Sequence, residues 1–297
     1  MIHCSVILAL FSVFLEGVHD TLSAEFLFSF GSFSSPKGIA VAPSGLIYVV
    51  DTGNNKVKVY SPSGDSLREI GGYGWGQLEF DQPYDVFAGD GLNIYVADYG
   101  NHRIQRFDKN LNYISTLNTR DDDDVSKRFG YPAGITLSRL GDLFLLDTEN
   151  IRVIKVNSFS TIERNFGGID AGKGRLTNPR QVGIAGNDLV CVLDQDKIVV
   201  YDYFGNFIRT IGQGTLVEPR GFAIDKDTIY VSDHQEILLF DVQGRPLEAL
   251  RLFPSQEEPS APHRINDLAI LAGRIYALTN TEVRVFDLRR KNVLDNH

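Results

Sequence analysis

The sequence is poor in cysteine, has no excess of basic residues and contains no apolar run long enough to cross a membrane. Two cysteines in 297 residues exclude a small fold held together by disulfides. A formal net charge of −9 and a pI of about 5.2 give the whole molecule no electrostatic footprint for nucleic acid. The longest apolar run, from Cys4 to Leu15, is shorter than the roughly 20 residues that span a bilayer. We therefore expect neither a nucleic-acid partner nor a membrane span.

The same apolar run has the character of a secretory signal. It lies at the N-terminus and is followed by polar residues and then by Ala24, a small residue suited to cleavage. His3 stands where a signal peptide usually carries a lysine or arginine. The alternative to a signal peptide is an incorrectly assigned start of the sequence. We predict a signal peptide over residues 1–24 and a secreted, periplasmic or other extracytoplasmic location. Cys191, in the strand-like run "DLVCVLD", would then be a lone thiol, and we interpret it as a core residue rather than a nucleophile.

The rest of the chain is built from a repeat. An apolar run ending in Asp or Thr recurs as "IYVVD", "IYVAD", "LFLLD", "VCVLD", "IYVSD" and "IYALT", at spacings of 47, 49, 47, 39 and 46 residues. A second landmark precedes each run, as in "SPKGIAV" and "QPYDVFA", and in the last repeat it lacks proline. Each repeat contains short runs rich in Val, Ile and Tyr, separated by Gly, Pro, Asn and Asp turns, which is typical of antiparallel strands. Four strands at this period predict a propeller blade.

The two ends of the chain complete one ring. The last repeat lacks a fourth strand, whereas "EFLFSFG" (25–31) precedes the first landmark and belongs to no repeat of its own. We therefore predict that this N-terminal strand pairs into the last blade, which removes an exposed sheet edge. The predicted fold is all-β: a six-bladed propeller of four-stranded antiparallel blades over residues 25–297, in one domain.

These residues resemble the NHL-repeat family of six-bladed propellers. The resemblance rests on the order of a proline, an apolar strand, "IYVxD" and "N-x-[KR]-[IV]". It is strongest in "DTGNNKVKVYSPSG" and "DYGNHRIQRFDKN" and weaker in "DQDKIVVYDYFG" and "DHQEILLFDVQG". The repeated Asp is interpreted as a turn residue that accepts backbone N–H groups. A catalytic set would need different residues in different blades, and the sequence identifies no catalytic residue.

The resemblance implies that the residue after each landmark proline begins the innermost strand, near one mouth of the central channel. We call these positions the mouth ring, with Asn266 included by register: Lys37, Tyr84, Ala133, Arg180, Arg220 and Asn266. Three cations converging on a low-dielectric channel favour an anion such as a carboxylate or phosphate. The candidate binding residues are therefore Lys37, Tyr84, Arg180 and Arg220. The alternative, that each arginine pairs with a neighbouring carboxylate such as Asp225, Glu218 or Asp85, stays open.

A metal-dependent enzyme is the competing hypothesis. Resemblance to the zinc-dependent amidating lyases would imply histidines in the mouth ring, and there are none. Resemblance to lactonases would imply a calcium set of carboxylates and amides in the channel. Asp85, Asn266 and Asp267 fall near that level, as weak candidates, and Asp188 falls near the fourth blade. We predict no metal or cofactor, and calcium binding is kept as the open alternative.

Two further segments carry less information. The four acidic residues of "TRDDDDVSKRF" (119–129) lack the spacing of a calcium loop and predict a solvated loop. The connector "GGYGWGQLEF" (71–80) opens no helix and is no phosphate loop, although its aromatics suit an exposed binding patch.

The favoured hypothesis is an exported, monomeric scaffold, not an enzyme, that binds a protein, peptide or envelope glycan through one face. The alternative is a calcium- or zinc-dependent hydrolase or lyase.

Overall fold

The six repeats form six separate four-stranded antiparallel sheets arranged as the blades of a propeller. The computed structural model describes residues 21–234, 236–253 and 264–291. The first strand of each blade contacts the first strands of both neighbouring blades, so these strands form a closed inner ring around a channel. The predicted fold class and blade number are confirmed.

The first three blades follow the strand boundaries expected from the repeat. Blade 1 contains β2 (Gly38–Val41), β3 (Ile47–Asp51), β4 (Lys56–Tyr60) and β5 (Ser66–Gly71). Blade 2 contains β6 (Pro83–Phe87), β7 (Asn93–Asp98), β8 (Arg103–Asp108) and β9 (Tyr113–Leu117). Blade 3 contains β10 (Pro132–Leu137), β11 (Leu143–Asp147), β12 (Arg152–Asn157) and β13 (Thr161–Phe166).

Blades 4 and 5 are likewise built from four consecutive strands, whereas blade 6 takes its fourth strand from the N-terminus of the chain. Blade 4 contains β14 (Pro179–Ala185), β15 (Leu189–Asp194), β16 (Lys197–Tyr201) and β17 (Phe207–Ile211). Blade 5 contains β18 (Pro219–Asp225), β19 (Thr228–Asp233), β20 (Glu236–Asp241) and β21 (Pro246–Arg251). Blade 6 contains β22 (Asp267–Leu271), β23 (Arg274–Leu278), β24 (Val283–Lys291) and, as its outermost strand, β1 (Thr21–Phe30).

The N-terminal strand closes the ring as predicted. β1 pairs antiparallel with β24 from Thr21 opposite Lys291 to Phe30 opposite Val283, with one irregularity between Phe26 and Phe28. The predicted cleavage point at Ala24 falls inside this strand, and residues 1–20 lie outside the described part of the chain.

The hydrophobic core lies between blades rather than inside one sheet. Six buried clusters are present in the described residues, and each is filled from two neighbouring blades. Because both faces of a blade are covered, its second strand carries consecutive apolar residues instead of alternating ones, and Ile47–Asp51 and Leu143–Asp147 are buried at every position, including the terminal Asp. Cys191 lies in the cluster between blades 4 and 5, where burial raises the pKa of its thiol to about 12. It is an unreactive core residue, as expected.

The repeated Asp holds the segment that enters its own blade. The carboxylate of Asp51 accepts the Ser34 N–H at 2.7 Å, and that of Asp98 accepts the Asp81 N–H at 2.8 Å. Asp194 accepts two successive N–H groups, of Thr177 at 2.9 Å and Asn178 at 2.6 Å. The structural interpretation of the repeated Asp is therefore correct, and these carboxylates are fully engaged in joining connectors to strands.

Helical structure is limited in the described residues to three short 3-10 turns, Thr52–Asn54, Val125–Lys127 and Gly172–Gly174. None of the described residues form a helix that is long and apolar enough to cross a membrane.

Candidate functional site

All six residues of the mouth ring line one cavity of about 200 Å³ at one end of the channel. The register of the repeat thus places each of them correctly, including Asn266, whose landmark has no proline. Three residues that directly follow ring positions in sequence complete the wall: Asp85, Gln181 and Asp267. The cavity therefore has a cationic and aromatic rim and an acidic lower wall.

The residues that follow the mouth ring form a second ring, which we call the floor ring. Glycine alternates in it with a longer polar residue: Gly38, Asp85, Gly134, Gln181, Gly221 and Asp267. Each polar side chain accepts a backbone N–H from the next blade around the axis. The Asp85 carboxyl accepts the Ile135 N–H at 2.8 Å. The Gln181 carbonyl accepts the Phe222 N–H at 2.7 Å, and the Asp267 carboxyl accepts the Ile39 N–H at 3.0 Å. The floor ring has three-fold rather than six-fold symmetry.

The glycines are required because the polar neighbours occupy the space of a side chain. A Cβ added to Gly221 would lie 2.6 Å from Asp267 Oδ1 and 2.7 Å from Asp267 Cα. A Cβ added to Gly38 would lie 3.0 Å from Asp85 Cα. These contacts involve backbone, which cannot move aside without displacing the inner strand.

The two floor carboxyls are buried and resist ionisation. Burial raises the pKa of Asp85 to about 7, although the Ile135 and Val86 N–H groups oppose the shift. Burial, and next the negative charge of Asp85, raise the pKa of Asp267 well above its usual value. Asp267 also accepts the Gln181 side-chain amide at 3.0 Å, which links two of the three polar members of the ring.

The floor ring separates the cavity from an apolar lower channel. A second cavity of about 210 Å³ shares Asp85 and Gln181 with the first and is otherwise lined mainly by apolar residues such as Ile39, Val182 and Phe222. The polar cavity is therefore a shallow recess at the mouth and not one end of an open pore.

One cation of the mouth ring is paired and two are not. Arg220 Nη2 lies 2.7 Å from Glu218 Oε1, and this arginine lowers the pKa of Glu218. Pairing of the mouth-ring arginines with a neighbouring carboxylate is therefore found for Arg220. Its partner is Glu218 and not Asp225 or Asp85. Arg180 instead donates to the Pro219 carbonyl at 2.9 Å, and Lys37 Nζ lies 5.6 Å from the centre of the Tyr84 ring. Within the described residues, no carboxylate oxygen lies within 4.0 Å of either charged group.

A groove of about 370 Å³ continues the cavity over blades 2 to 4 and shares Tyr84, Ala133 and Arg180 with it. One wall consists of aromatic rings, with Tyr84 and Tyr99 centred 5.4 Å apart. Pro179 and Ile151 add apolar surface, and Ile151 is 40% exposed. Since Ala133 is the smallest side chain of the mouth ring, the rim is lowest where the cavity opens into this groove.

Asp85, Asn266 and Asp267, the weak calcium candidates, lie together in the lining of the cavity, and their polar atoms are engaged within the protein. All four carboxyl oxygens of Asp85 and Asp267 accept backbone N–H groups, and the Asn266 amide donates to the Pro36 carbonyl at 3.2 Å. Calcium takes six to eight oxygen ligands, roughly twice what this set offers. Asp188 is not part of the set, because it faces Arg139 in another turn. The described residues contain no group of three His, Cys, Asp or Glu side chains arranged for a metal ion.

Sequence reasoning missed Gln181 and the groove residues Tyr99 and Ile151. The alternation of the floor ring is visible in the printed sequence as "PKG", "PYD", "PAG", "PRQ", "PRG" and "IND". Its structural role is recognisable only when neighbouring blades are placed side by side, because each polar side chain bonds to the backbone of the next blade. The exposed aromatics of the 71–80 connector, Tyr73 and Trp75, lie outside both the cavity and the groove.

Comparison with known proteins agrees with the fold. The family described as NHL repeat matches residues 33–60 and 80–107, which correspond to most of blades 1 and 2. The chain therefore contains NHL repeats at two positions within a six-bladed β-propeller.

Curated relatives match only part of this chain and less than half of their own length. The E3 ubiquitin-protein ligase NHLRC1 of Rattus norvegicus is 23% identical over 52% of this chain and 37% of its own length. The probable peptidyl-alpha-hydroxyglycine alpha-amidating lyase pgal-1 of Caenorhabditis elegans is 29% identical over 42% and 38%. The protein brain tumor of Drosophila melanogaster is 25% identical over 40% of this chain and 12% of its own length.

Solved structures share the architecture at low identity. A streptogramin B lyase superimposes with a TM-score of 0.62 at 13% identity, covering 91% of this chain and 98% of its own. A catalytically inactive virginiamycin B lyase from Staphylococcus aureus with quinupristin gives a TM-score of 0.60 at 14% identity, covering 94% and 90%. At these identities the likeness concerns the fold alone.

Proposed function

We propose that this NHL-repeat propeller is an exported scaffold that holds an anionic group of a partner protein or peptide at the mouth of its channel. The observation that supports the proposal is the presence of two cations, Lys37 and Arg180, on inner strands of blades 1 and 4 with no carboxylate in salt-bridge range among the described residues. Positive groups held at a partly desolvated concave site attract an anion more strongly than the same groups on an open surface.

The floor of the cavity is compatible with an anion. Asp85 and Asp267 are acidic, but burial raises the pKa of Asp85 to about 7 and that of Asp267 well above its usual value, so Asp85 is mainly uncharged below about pH 7. A neutral carboxyl does not repel an anion, and its O–H is a hydrogen-bond donor. The recess then faces three cations, of which Arg220 shares the Glu218 carboxylate with Arg264, whereas Lys37 and Arg180 have no carboxylate in salt-bridge range among the described residues.

A protein or peptide partner is favoured over a glycan by the names of two relatives. One is an E3 ubiquitin-protein ligase and the other a peptidyl-alpha-hydroxyglycine alpha-amidating lyase, and both names refer to substrates made of amino acids. The tyrosines beside the cavity also favour this partner, because Tyr and Arg are the side chains that anchor protein interfaces.

The hydrolase or lyase alternative is supported by the name of the relative pgal-1 but by no feature of the site. The mouth ring contains no histidine, and the oxygen atoms of the channel carboxyls are engaged by backbone N–H groups. We therefore derive no reaction from this site.

Titration of the full chain with glutarate and with inorganic phosphate, followed by NMR chemical-shift changes, tests the proposal. We expect saturable shifts for at least one anion in residues of the mouth ring. The double variant Lys37→Gln/Arg180→Gln should bind at least about tenfold more weakly, because two charge-assisted hydrogen bonds are lost. Arg245→Gln/Arg251→Gln is the charge-matched control, and it should change binding by less than about threefold because both arginines are exposed, paired and outside the cavity. Binding that is absent, or unchanged in Lys37→Gln/Arg180→Gln, contradicts the proposal.

A further inference from the structure

We infer that the group held at the mouth is the side-chain carboxylate of an Asp or Glu in an extended peptide segment, whose neighbouring apolar side chain lies in the groove beside Ala133. This inference rests on the proposed function and specifies its ligand. Four features carry it: the depth of the recess, the low rim at Ala133, the tyrosine-lined groove and the strained backbone at Ile151.

The recess is too shallow for more than a head group. The mouth ring and the floor ring are consecutive residues on the inner strands, and a strand rises about 3.3 Å per residue. Asp85, Gln181 and Asp267 close the recess at that depth. A planar carboxylate fits this space between Lys37 and Arg180, whereas the backbone that carries it must stay on the face of the propeller.

The low rim at Ala133 determines on which side of the recess the ligand chain leaves the mouth. Around the mouth, Lys37, Tyr84, Arg180, Arg220 and Asn266 carry long side chains, whereas blade 3 carries Ala133. The cavity and the groove share the residues on both sides of this gap. A chain whose carboxylate occupies the recess therefore passes most easily over blade 3, which brings the adjacent side chain into the groove.

The groove suits an apolar or aromatic side chain. Tyr84, Tyr99, Pro179 and Ile151 supply its apolar surface, and the Tyr99 ring is in turn supported by Tyr131 at 5.0 Å. The polar side chains of Thr148, Thr177 and Asn178 also line the groove, so the apolar contact is made on the tyrosine and isoleucine side. An apolar side chain placed there removes its own surface and that of Ile151 from water, and offset contact with the tyrosine rings adds to the gain. Arg180 lines both the cavity and the groove, and its guanidinium is held by the Pro219 carbonyl.

Ile151 is the second sign that the groove is a binding surface. Its φ is 52°, in the left-handed region, and two other blades place Asn55 and His102 at the equivalent turn position. A β-branched residue in this conformation is strained, whereas Asn and His tolerate it. A strained residue that also exposes 40% of an apolar side chain costs stability without a structural benefit, and this combination points to a role in ligand contact.

Selection from a library of random peptides displayed on phage, with the C-terminus of every peptide fused to the coat protein, tests the inference. No displayed peptide then offers a terminal carboxylate. The target is the full chain, with Lys37→Gln/Arg180→Gln and the charge-matched control Arg245→Gln/Arg251→Gln, whose arginines lie outside the cavity and the groove, as parallel targets. We expect the selected peptides to share an Asp or Glu next to, or one residue from, an aromatic or aliphatic residue. They should be retained by Arg245→Gln/Arg251→Gln and lost by Lys37→Gln/Arg180→Gln.

Synthetic versions of the best peptide, acetylated and amidated at the ends, give the affinities by fluorescence polarisation. Changing its acidic residue to the corresponding amide should weaken binding by about tenfold or more, because the charge-assisted hydrogen bonds are lost. Changing its apolar residue to serine should weaken binding to the wild-type protein by about tenfold but should have a smaller effect on the Ile151→Asn variant. Glutarate binding to Ile151→Asn should remain unchanged, which separates the groove from the recess.

Three results would overturn the inference. Selected peptides without an acidic residue would do so, as would amide-substituted peptides that bind equally well. A peptide lacking Asp and Glu that binds only with a free C-terminus would assign the recess to a chain end instead. If peptides fail while glutarate or phosphate binds, only this inference is wrong. If the small anions also fail to bind, the proposed function is wrong with it.

Discussion

Replacement of the buried floor carboxyl Asp85 by asparagine should change how the stability of the fold depends on pH. The unperturbed aspartate pKa is 3.8, and burial raises that of Asp85 to about 7 in the folded protein. One pKa unit corresponds to about 1.4 kcal/mol, so ionisation of Asp85 costs the folded state about 4 kcal/mol relative to the unfolded chain.

The sign and the pH window follow from the raised pKa. The stabilising contribution of protonated Asp85 is fully present below the unfolded pKa of 3.8 and is lost as the pH rises through the folded value of about 7. Asp85→Asn has no proton to lose. The free energy of unfolding of the variant minus that of the wild type should therefore increase by about 4 kcal/mol between about pH 4 and pH 8.

A constant penalty accompanies this pH-dependent gain. Asp85 accepts the N–H groups of Val86 and Ile135, at 2.8 Å each, and an asparagine amide accepts only one of them. The unsatisfied N–H costs about 1–3 kcal/mol at every pH, so the variant should be less stable than the wild type near pH 4. The gain grows by about 1.4 kcal/mol per pH unit above the unfolded pKa, so the two stability curves should cross between about pH 4.5 and pH 6.

Urea-induced unfolding followed by far-UV circular dichroism at steps of pH measures both curves. Exposed Asp170 supplies the control, because Asp170→Asn should give a curve parallel to that of the wild type. A difference between Asp85→Asn and wild type that stays constant across the pH range would show that Asp85 ionises normally and that the floor ring is charged. The argument for a neutral floor would then be refuted.

Three further predictions follow from the rings and the groove. Gly221→Ala should destabilise the fold by about 3 kcal/mol in urea unfolding, since its Cβ would meet the backbone of Asp267, whereas Gly168→Ala, which meets nothing within 4 Å, should stay within about 0.5 kcal/mol of the wild type. Ile151→Asn should leave the fold as stable or make it up to about 1 kcal/mol more stable, because asparagine relieves the left-handed strain; a clear loss of stability would contradict that reading. Glutarate affinity should fall as pH rises through about 7, where Asp85 ionises and repels the carboxylate, and a flat profile in isothermal titration calorimetry would be inconsistent with a neutral floor.

The blade number, the ring closure and the positions of the mouth ring could be predicted because a propeller repeats one strand register. Once "IYVVD" and "IYVAD" are aligned, every inner strand starts at a known offset, and even Asn266 falls in place without its proline. Closure by residues 25–31 followed from counting strands, because an unpaired strand at one end matched a missing strand at the other.

The charge state of the mouth ring could not be predicted in this way. Arg180 and Arg220 occupy the same position in "NPRQ" and "EPRG", yet Arg220 bonds to Glu218 and Arg180 bonds to a carbonyl. That difference depends on side-chain rotamers and on which residue precedes the proline. The groove could not be predicted from the sequence either. Its walls come from three blades, and it opens into the cavity because Ala133 has a small side chain.

The alternation of the floor ring makes a pair of blades, rather than a single blade, the module from which this ring is assembled. Blades 2 and 3, blades 4 and 5, and blades 6 and 1 are joined by side chain to backbone bonds of the same kind. Gain or loss of one blade would bring two glycines or two long side chains together and would leave either a hole or a clash at the axis. Addition or removal of a single blade would therefore need compensating substitutions in the floor ring, whereas a whole pair of blades would keep the alternation.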